Sequence, residues 1–249
     1  MQTQATILTR IKQKTAKGVK QLAVLIDPDF EEGLHKTIDI CNRTQVDYIF
    51  VGGSLVTEGN IDRCVATIKE NTDIPVVLFP GSTTQLTEKA DALLLLSLIS
   101  GRNPDLLIGK HVESAPFIKQ SGIDVIPTGY MLIDGGKITS VQYISNTIPI
   151  PADKPDIAMA TAMAGELLGL QLIFMDAGSG AATPINDELI AKVKKSVNLP
   201  IVVGGGIKTG KQALTAWNAG ADIVVIGNAV EKDKTLIEEL SEAVAEWQV

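Results

Sequence analysis

The sequence is poor in cysteine and in aromatic residues. Its 249 residues include 2 cysteines, and 4% of them are aromatic. Two cysteines, Cys41 and Cys64, are too few for a disulfide framework or a zinc site, so we expect free thiols in a reducing compartment. With so few aromatic rings, the core must be built from Ile, Leu, Val and Ala, the residues typical of parallel strands that are covered on both faces.

The sequence also lacks an excess of basic charge and long hydrophobic runs. Its formal net charge is -7 at pH 7, whereas binding to nucleic acid or to anionic membranes requires clustered Lys and Arg. We therefore expect no nucleic-acid partner. No stretch reaches the roughly 18 apolar residues of a membrane span, and the first residues contain no apolar signal-peptide core. We expect a cytoplasmic protein without stable membrane insertion.

The chain does contain a repeated alternation of strand and helix. Eight short runs rich in Val, Ile and Leu are each closed by Gly, Pro, Asp or Ser, and most precede a segment with helical periodicity. The runs are Leu22–Ile26, Tyr48–Val51, Val76–Phe79, Ala92–Leu98, Val125–Pro127, Leu172–Met175, Ile201–Val203 and Ile223–Ile226. Eight parallel strands joined by helical crossovers predict a (β/α)₈ TIM barrel, an α/β fold that forms a single domain over residues 1–249.

Amphipathic segments predict the helices around this barrel. They are Glu31–Arg43, Thr57–Glu70, Asp156–Leu170, Pro184–Ser196, Thr209–Ala219 and Glu231–Trp247. An extra N-terminal helix at Gln4–Lys17 would close the bottom of the barrel. The pattern is modified after strand five, where Gly129–Pro151 is predicted to be an extended hairpin with its turn at Gly135–Gly136. Because βα loops lie at the catalytic face of a barrel, this segment is a candidate wall of the substrate site.

Glycines follow the last three strands, where barrels commonly bind phosphate. Gly178 and Gly180 come after strand six, Gly205 and Gly206 after strand seven, and Gly227 after strand eight. Glycine lets backbone amides approach a ligand closely, and phosphorylated substrates bind barrels at the loops after strands seven and eight. The sequence therefore predicts a phosphate site.

Polar side chains at other strand ends are candidates for chemistry. Asp27 follows strand one and offers a carboxylate for Mg²⁺, with Ser54 after strand two as its neighbour. The alternative is that Asp27 and Asp29 are helix caps or solvated loop residues. Asp176 follows strand six as a candidate base or hydroxyl-binding group, with the alternative that it caps the next turn. His35 and His111 lie in predicted helices, and we expect both on the solvated surface.

Phosphate loops of this kind also occur in barrels with other chemistries. An FMN-dependent oxidoreductase or a sugar-phosphate isomerase is therefore an alternative enzyme class. The non-enzymatic alternative is a protein that binds a phosphoester without turnover. The strand ends carry no lysine or histidine, which disfavours isomerase and aldolase chemistry.

Five longer motifs occur in barrel order. They are FPGS (Phe79–Ser82), LLSLISGRNPDLLIG (Leu95–Gly109), FMDAGSGA (Phe174–Ala181), VGGGI (Val203–Ile207) and GNAVE (Gly227–Glu231). With these motifs the chain resembles the geranylgeranylglyceryl phosphate synthase family, including its bacterial prenylglyceryl phosphate synthases, and its D-A-G-S-G-A form resembles the second group of that family. The resemblance implies an Mg²⁺-dependent prenyltransferase that joins a polyprenyl diphosphate, expected to be geranylgeranyl diphosphate, to the 3-hydroxyl of sn-glycerol 1-phosphate. It also implies a homo-oligomer, either a dimer or a hexamer.

The resemblance further implies residue roles. Asp27 and Ser54 match the family's magnesium positions, and Asp176 is expected to be the catalytic base. The positions that match the glycerol phosphate site are Phe174, Met175, Asp176, Ala177, Gly178, Ser179, Gly180, Gly205, Gly206, Gly227 and Asn228. One branch of the family has Tyr where this chain has Phe174 and Lys where it has Leu25, so a phenol and a cation are absent at these positions. The prenyl tail needs an apolar groove, which we expect between the ends of strands three and four and the segment Tyr130–Ile144.

Overall fold

A computed structural model describes residues 5–30 and 32–247. In this part of the chain eight parallel strands form a closed barrel, in which each strand pairs with the next and the eighth pairs with the first. The strands are β1 Gln21–Ile26, β2 Tyr48–Val51, β3 Val76–Leu78, β4 Ala92–Leu98, β5 Asp124–Leu132, β6 Leu172–Asp176, β7 Ile201–Gly204 and β8 Ile223–Ile226. The predicted barrel is confirmed, and every predicted run overlaps its strand. Residues 1–4, 31 and 248–249 of the predicted domain lie outside the described residues.

Helices surround the barrel and close its lower end. They are α1 Ile7–Ala16, α2 Leu34–Arg43, α3 Ile61–Asn71, α4 Lys110–Ser121, α5 Ser140–Ser145, α6 Pro155–Leu167, α7 Asp187–Lys194, α8 Gly210–Ala219, α9 Asn228–Lys232 and α10 Thr235–Trp247. A π-helical turn, Asp105–Gly109, precedes α4. The predicted helix starts at Gln4 and Glu31 lie outside the described residues.

Side-chain caps explain where several helices begin. Asn186 accepts a hydrogen bond from Leu189 N at 2.8 Å and starts α7, close to the predicted position. The predicted start of α3 at Thr57 is wrong, because Asn60 provides the cap. The predicted last helix is divided at Asp233, whose carboxylate accepts a hydrogen bond from Thr235 N at 3.0 Å and so begins a new helix.

The N-terminal helix α1 closes the bottom of the barrel, as predicted. Ile7 and Ile11 are buried together with the side chains that fill the barrel interior, among them Leu94 and Ile126. The backbone N–H of Ile7 also donates to Asp124 Oδ2, at the start of β5, over 2.8 Å. Apolar burial and a hydrogen bond to the sheet therefore fix α1 under the strands.

The predicted hairpin after strand five is wrong. β5 continues to Leu132 and pairs along that length with β6, so the apolar residues that suggested a hairpin arm belong to the parallel sheet. Ile133 N then donates to Asp176 O at 2.9 Å, and Ile133 forms a parallel bridge with Ile150. The backbone groups of this stretch are satisfied by β6 and cannot pair with the residues that form α5.

The expectation of free thiols is confirmed. Cys41 and Cys64 are buried free thiols, and burial raises the pKa of Cys41 to about 12. Trp217 is also buried, and it donates to Gln21 O at 3.3 Å. Within the described ranges, none of the helices has both the length and the apolar character of a membrane span.

Candidate active site

A cavity of about 1360 Å³ opens at the carboxyl ends of the barrel strands. Most of the predicted site residues line it, and they are Asp27, Ser54, Phe174, Asp176, Ser179, Gly180, Gly205, Gly206, Gly227 and Asn228. The fold therefore brings the predicted metal residues and the predicted phosphate residues to one cavity.

Strand alternation separates the remaining predicted residues from this cavity. Phe174 and Asp176 lie on the inner face of β6, whereas Met175 and Ala177 point outward and are buried between the barrel and its helices. The side chains of Met175 and Ala177 therefore face away from the cavity. Gly178 is a buried residue of the loop after β6, and its N–H donates to Asp176 Oδ1.

An apolar groove extends the cavity along the outer face of β4. Residues 79–91 connect β3 to β4 without a helix, which leaves space beside this strand. The groove is lined by apolar side chains from the loop, the strand, the π-helical turn and α4, which are Leu86, Leu93, Leu95, Leu106 and Ile118. Phe79 and Tyr130 line the same cavity, as do Ile138 and Ile144. The regions predicted for the prenyl tail thus meet, although α5 replaces the predicted hairpin as the wall.

Asp27 presents a half-buried carboxylate to the cavity. Its Oδ1 accepts a hydrogen bond from Asp29 N at 3.0 Å. Burial raises the pKa of Asp27, and the Asp29 N–H opposes this shift. A Cβ atom on Gly53 would lie 3.0 Å from Asp27 Oδ2, so glycine allows the two loops to approach closely.

The residues around Asp27 are compatible with an Mg²⁺ ion that is bound by few protein groups and mainly by water and the phosphate oxygens of a substrate. Among the described residues, no group of three or more His, Cys, Asp or Glu side chains is placed to enclose a metal ion. Mg²⁺ is commonly bound through one or two carboxylates, with water and substrate phosphate oxygens completing its shell. The carboxylate of Asp27 and the hydroxyl of Ser54 are hard oxygen donors that suit this arrangement.

Asp29 ties the loop after β1 to the loop after β2. Its carboxylate accepts hydrogen bonds from Thr57 N at 2.9 Å, Glu58 N at 3.1 Å and Gly59 N at 2.6 Å, and from the Thr57 hydroxyl at 3.0 Å. These hydrogen bonds, led by that from Thr57 N, lower the pKa of Asp29. They fix the loop that carries Ser54 beside Asp27. The expected loop role of Asp29 is thus a structural one, although the sequence does not indicate which loop it binds.

Gln85 ties the loop after β2 to the loop after β3. Its buried Oε1 accepts from Gly53 N at 3.2 Å and Gly81 N at 3.1 Å, and its Nε2 donates to Gly53 O at 2.9 Å. Gln85 therefore supports the backbone beside Asp27. Nothing in the sequence points to this glutamine.

Glycine backbones form the opposite side of the cavity. Gly180, Gly205 and Gly206 have φ values of 71°, 80° and 73°, in the left-handed region that favours glycine. A Cβ atom on Gly205 would lie 2.7 Å from Asp176 Oδ1 and from Gly178 N. The loops after β6 and β7 therefore pack too closely for a side chain at this position.

Asp176 is buried and held by two hydrogen bonds. Tyr130 Oη donates to Oδ2 at 2.6 Å, and Gly178 N donates to Oδ1 at 2.7 Å. Burial raises the pKa of Asp176, while the two hydrogen bonds lower it. The hydrogen bond from Gly178 N is the one expected if Asp176 caps the next turn. The position of Asp176 in the cavity is the one expected if it acts as a base. Both interpretations of Asp176 are compatible with the geometry.

Tyr130 supplies a phenol next to Phe174. The two residues are partners in the β5–β6 register, and their ring centroids are 5.7 Å apart in an edge-to-face arrangement. Phe79 stacks on Phe174 at 4.8 Å. A phenol is therefore present in the site on the neighbouring strand. This phenol was not predicted, because the incorrect hairpin placed Tyr130 in a loop and not on strand β5.

The two histidines differ in their surroundings. His35 is exposed, as expected. The expectation for His111 is wrong, because α4 packs against β4 and turns this ring into the groove, where Nε2 lies 3.1 Å from Ser97 Oγ. Burial lowers the pKa of His111. It therefore joins Lys110 and Ser114 as a polar side chain from α4 that lines the cavity.

Comparison with known proteins places the chain in a family. Residues 15–247 match the PcrB family. A geranylgeranylglyceryl phosphate synthase of Chitinophaga pinensis is 57% identical over 93% of this chain and 92% of its own, and one of Pyrococcus horikoshii is 42% identical over 86% and 85%. The crystal structure of (S)-3-O-geranylgeranylglyceryl phosphate synthase from Thermoplasma acidophilum, in complex with its substrate sn-glycerol-1-phosphate, is 29% identical. It superposes with a TM-score of 0.90 and covers 98% of this chain and 100% of that one. The chain therefore belongs to the PcrB family of geranylgeranylglyceryl phosphate synthases.

Proposed function

We propose that the protein joins a polyprenyl diphosphate, with geranylgeranyl diphosphate as the expected donor, to the 3-hydroxyl of sn-glycerol 1-phosphate. The family is one of prenyltransferases. The observation that carries the proposal is one cavity in which a carboxylate, a set of glycine loops and a long apolar groove meet. A phosphorylated alcohol and a lipid diphosphate need these three features together.

Each part of the cavity suits one part of the two substrates. The loops at Gly180, Gly205 and Gly227 would hold the phosphate of sn-glycerol 1-phosphate, the ligand bound by the Thermoplasma acidophilum relative. The diphosphate would lie near Asp27 and Ser54, and its apolar tail in the groove beside β4. Apolar contact along the groove would stabilise the tail by roughly 0.8 kcal/mol per buried methylene group.

In the proposed reaction, the glycerol hydroxyl replaces diphosphate at the allylic C1 of the prenyl chain. Asp27 and Ser54 would hold Mg²⁺, which, when bound, neutralises the diphosphate as it leaves. Asp176 would accept the proton of the hydroxyl as the new C–O bond forms. The hydrogen bonds from Tyr130 and Gly178 keep this carboxylate in place, and the glycine loops hold the hydroxyl near C1.

The implied homo-oligomer also remains part of the proposal. The C-terminal end of helix α6 exposes apolar side chains, with Leu167 86% exposed and the following Leu168 77% exposed. Exposed clusters of large apolar residues are typical of association surfaces, which supports a dimer or hexamer. The cytoplasmic location stays a prediction.

Incubation of the purified protein with defined substrates tests the function. Mg²⁺, sn-glycerol 1-phosphate and prenyl diphosphates of several chain lengths should give a prenylglyceryl phosphate, identified by mass spectrometry. Chelation of Mg²⁺ and replacement of the acceptor by sn-glycerol 3-phosphate are the controls, and both should reduce the yield strongly. Failure to form any ether product would contradict the proposal, and a bound flavin in the purified protein would favour the oxidoreductase alternative.

A further inference from the structure

We propose that Lys137 binds the phosphate of the acceptor. This inference rests on the proposed function, because it concerns the phosphate side of the same cavity. Lys137 lies in the segment between β5 and α5, and it is not one of the positions that match the family's glycerol phosphate site.

The position of the Lys137 ammonium group carries the proposal. A Cβ atom on Gly180 would lie 3.7 Å from Lys137 Nζ and 3.9 Å from Asn228 Oδ1. The ammonium group and the Asn228 side-chain oxygen therefore lie near the same point beside Gly180. In the described part of the chain the Lys137 side chain has no hydrogen bond or ion pair of its own, so its charge is available to a ligand.

Contacts on both sides of Lys137 fix its segment against the loop after β6. Gly135 O accepts hydrogen bonds from Ala182 N at 2.9 Å and Thr183 N at 3.1 Å. On the other side, a Cβ atom on Gly178 would lie 2.5 Å from the hydroxyl of Thr139. The segment 135–139 is therefore packed against the loop 178–183, and Lys137 stands between its two contact points.

Acidic side chains lie beside the glycine loops, and the lysine that follows the β7 loop already has a hydrogen-bond partner. Asp176, Glu231 and Lys208 line the cavity next to these loops, and Lys208 Nζ donates to Ala182 O at 3.3 Å. A phosphate dianion at this place would be repelled by ionised carboxylates unless a positive charge lay close to it. Backbone N–H groups provide only partial charges. A lysine ammonium group at Gly180 provides a full one, as a charge-assisted hydrogen-bond donor.

The test compares Lys137→Gln with Lys137→Arg and with a matched control, Lys119→Gln. Lys119 is an exposed lysine in the last turn of α4, and its replacement changes the net charge equally. Lys137→Gln should raise the Kd and the KM for sn-glycerol 1-phosphate roughly tenfold, because one charge-assisted hydrogen bond is lost. The KM for the prenyl diphosphate and the Mg²⁺ dependence should stay as in the wild type.

The outcomes separate this inference from the proposed function. Lys137→Arg should restore most of the affinity, and Lys119→Gln should behave like the wild type. Calorimetry that gives Lys137→Gln the wild-type affinity for sn-glycerol 1-phosphate would overturn the role of Lys137 and leave the proposed function intact. If the wild-type protein itself neither binds nor converts sn-glycerol 1-phosphate, the proposed function fails, and the inference about Lys137 fails with it.

Discussion

Removal of the Tyr130 hydroxyl should shift the pH dependence of the reaction. Tyr130 is 5% exposed, and its hydroxyl donates to Asp176 Oδ2 over 2.6 Å. Tyr130→Phe keeps the ring and its contact with Phe174 but removes this hydrogen bond. Burial already raises the pKa of Asp176, and the bond from Tyr130 is the first of the two that lower it. We therefore expect the pKa of Asp176 to rise further in the variant.

The size of the shift follows from the strength of the bond. A hydrogen bond to a charged group contributes about 1.5–3 kcal/mol, and one pKa unit corresponds to about 1.36 kcal/mol. Loss of the bond should therefore favour protonation of Asp176 by roughly 10- to 150-fold, which raises its pKa, with Gly178 N still bound to the other oxygen. A base must be deprotonated to act. As the pH falls, the variant should lose kcat/KM at a higher pH than the wild type, and the two should converge in alkaline solution.

The assay is kcat/KM for sn-glycerol 1-phosphate against pH, at saturating prenyl diphosphate and Mg²⁺. Tyr48→Phe is the matched control, because Tyr48 is equally buried and its hydroxyl donates to Gln21 Oε1 at 2.8 Å, at the start of β2 and away from the site. Tyr48→Phe can lower the stability of the protein, but its kcat/KM should fall in acid solution at the same pH as that of the wild type. If kcat/KM of Tyr130→Phe also falls at the wild-type pH, the assignment of Asp176 as the ionised base is refuted.

Three further substitutions test the other parts of the site. Asp27→Asn should abolish turnover, because the charge that holds Mg²⁺ is lost while the shape of the side chain is kept. Calorimetry should still detect binding of sn-glycerol 1-phosphate to this variant. An unchanged rate at limiting Mg²⁺ would show that Asp27 does not bind the metal. Asp176→Asn should lower kcat by about 10²-fold or more at saturating substrates, and a wild-type kcat in a folded variant would exclude it as the base. Gly205→Ala should lower the melting temperature and the affinity for sn-glycerol 1-phosphate more than Gly122→Ala does, because both glycines have positive φ but only the first would meet neighbouring atoms. Equal effects of the two substitutions would show that backbone strain alone matters.

The sequence determined the barrel and the places where its chemistry lies. Strands β2, β4 and β8 begin and end at the predicted residues, because unbroken apolar runs closed by small or polar residues are typical of strands covered on both faces. In a parallel barrel all carboxyl ends meet at one face. The positions of Asp27 and Asp176 after their strands were therefore enough to predict that they line a common cavity.

Contacts between distant segments were decided only by the tertiary structure. Tyr130 reaches Asp176 because β5 continues in register with β6, and the local pattern of that stretch favoured a hairpin instead. Gln85 supports Gly53 across 32 residues of sequence, and Lys137 approaches Gly180 through a loop packed on another loop. Residue type and spacing report burial and periodicity along one segment. They do not report which loops pack together, so these supporting residues follow only from the folded arrangement.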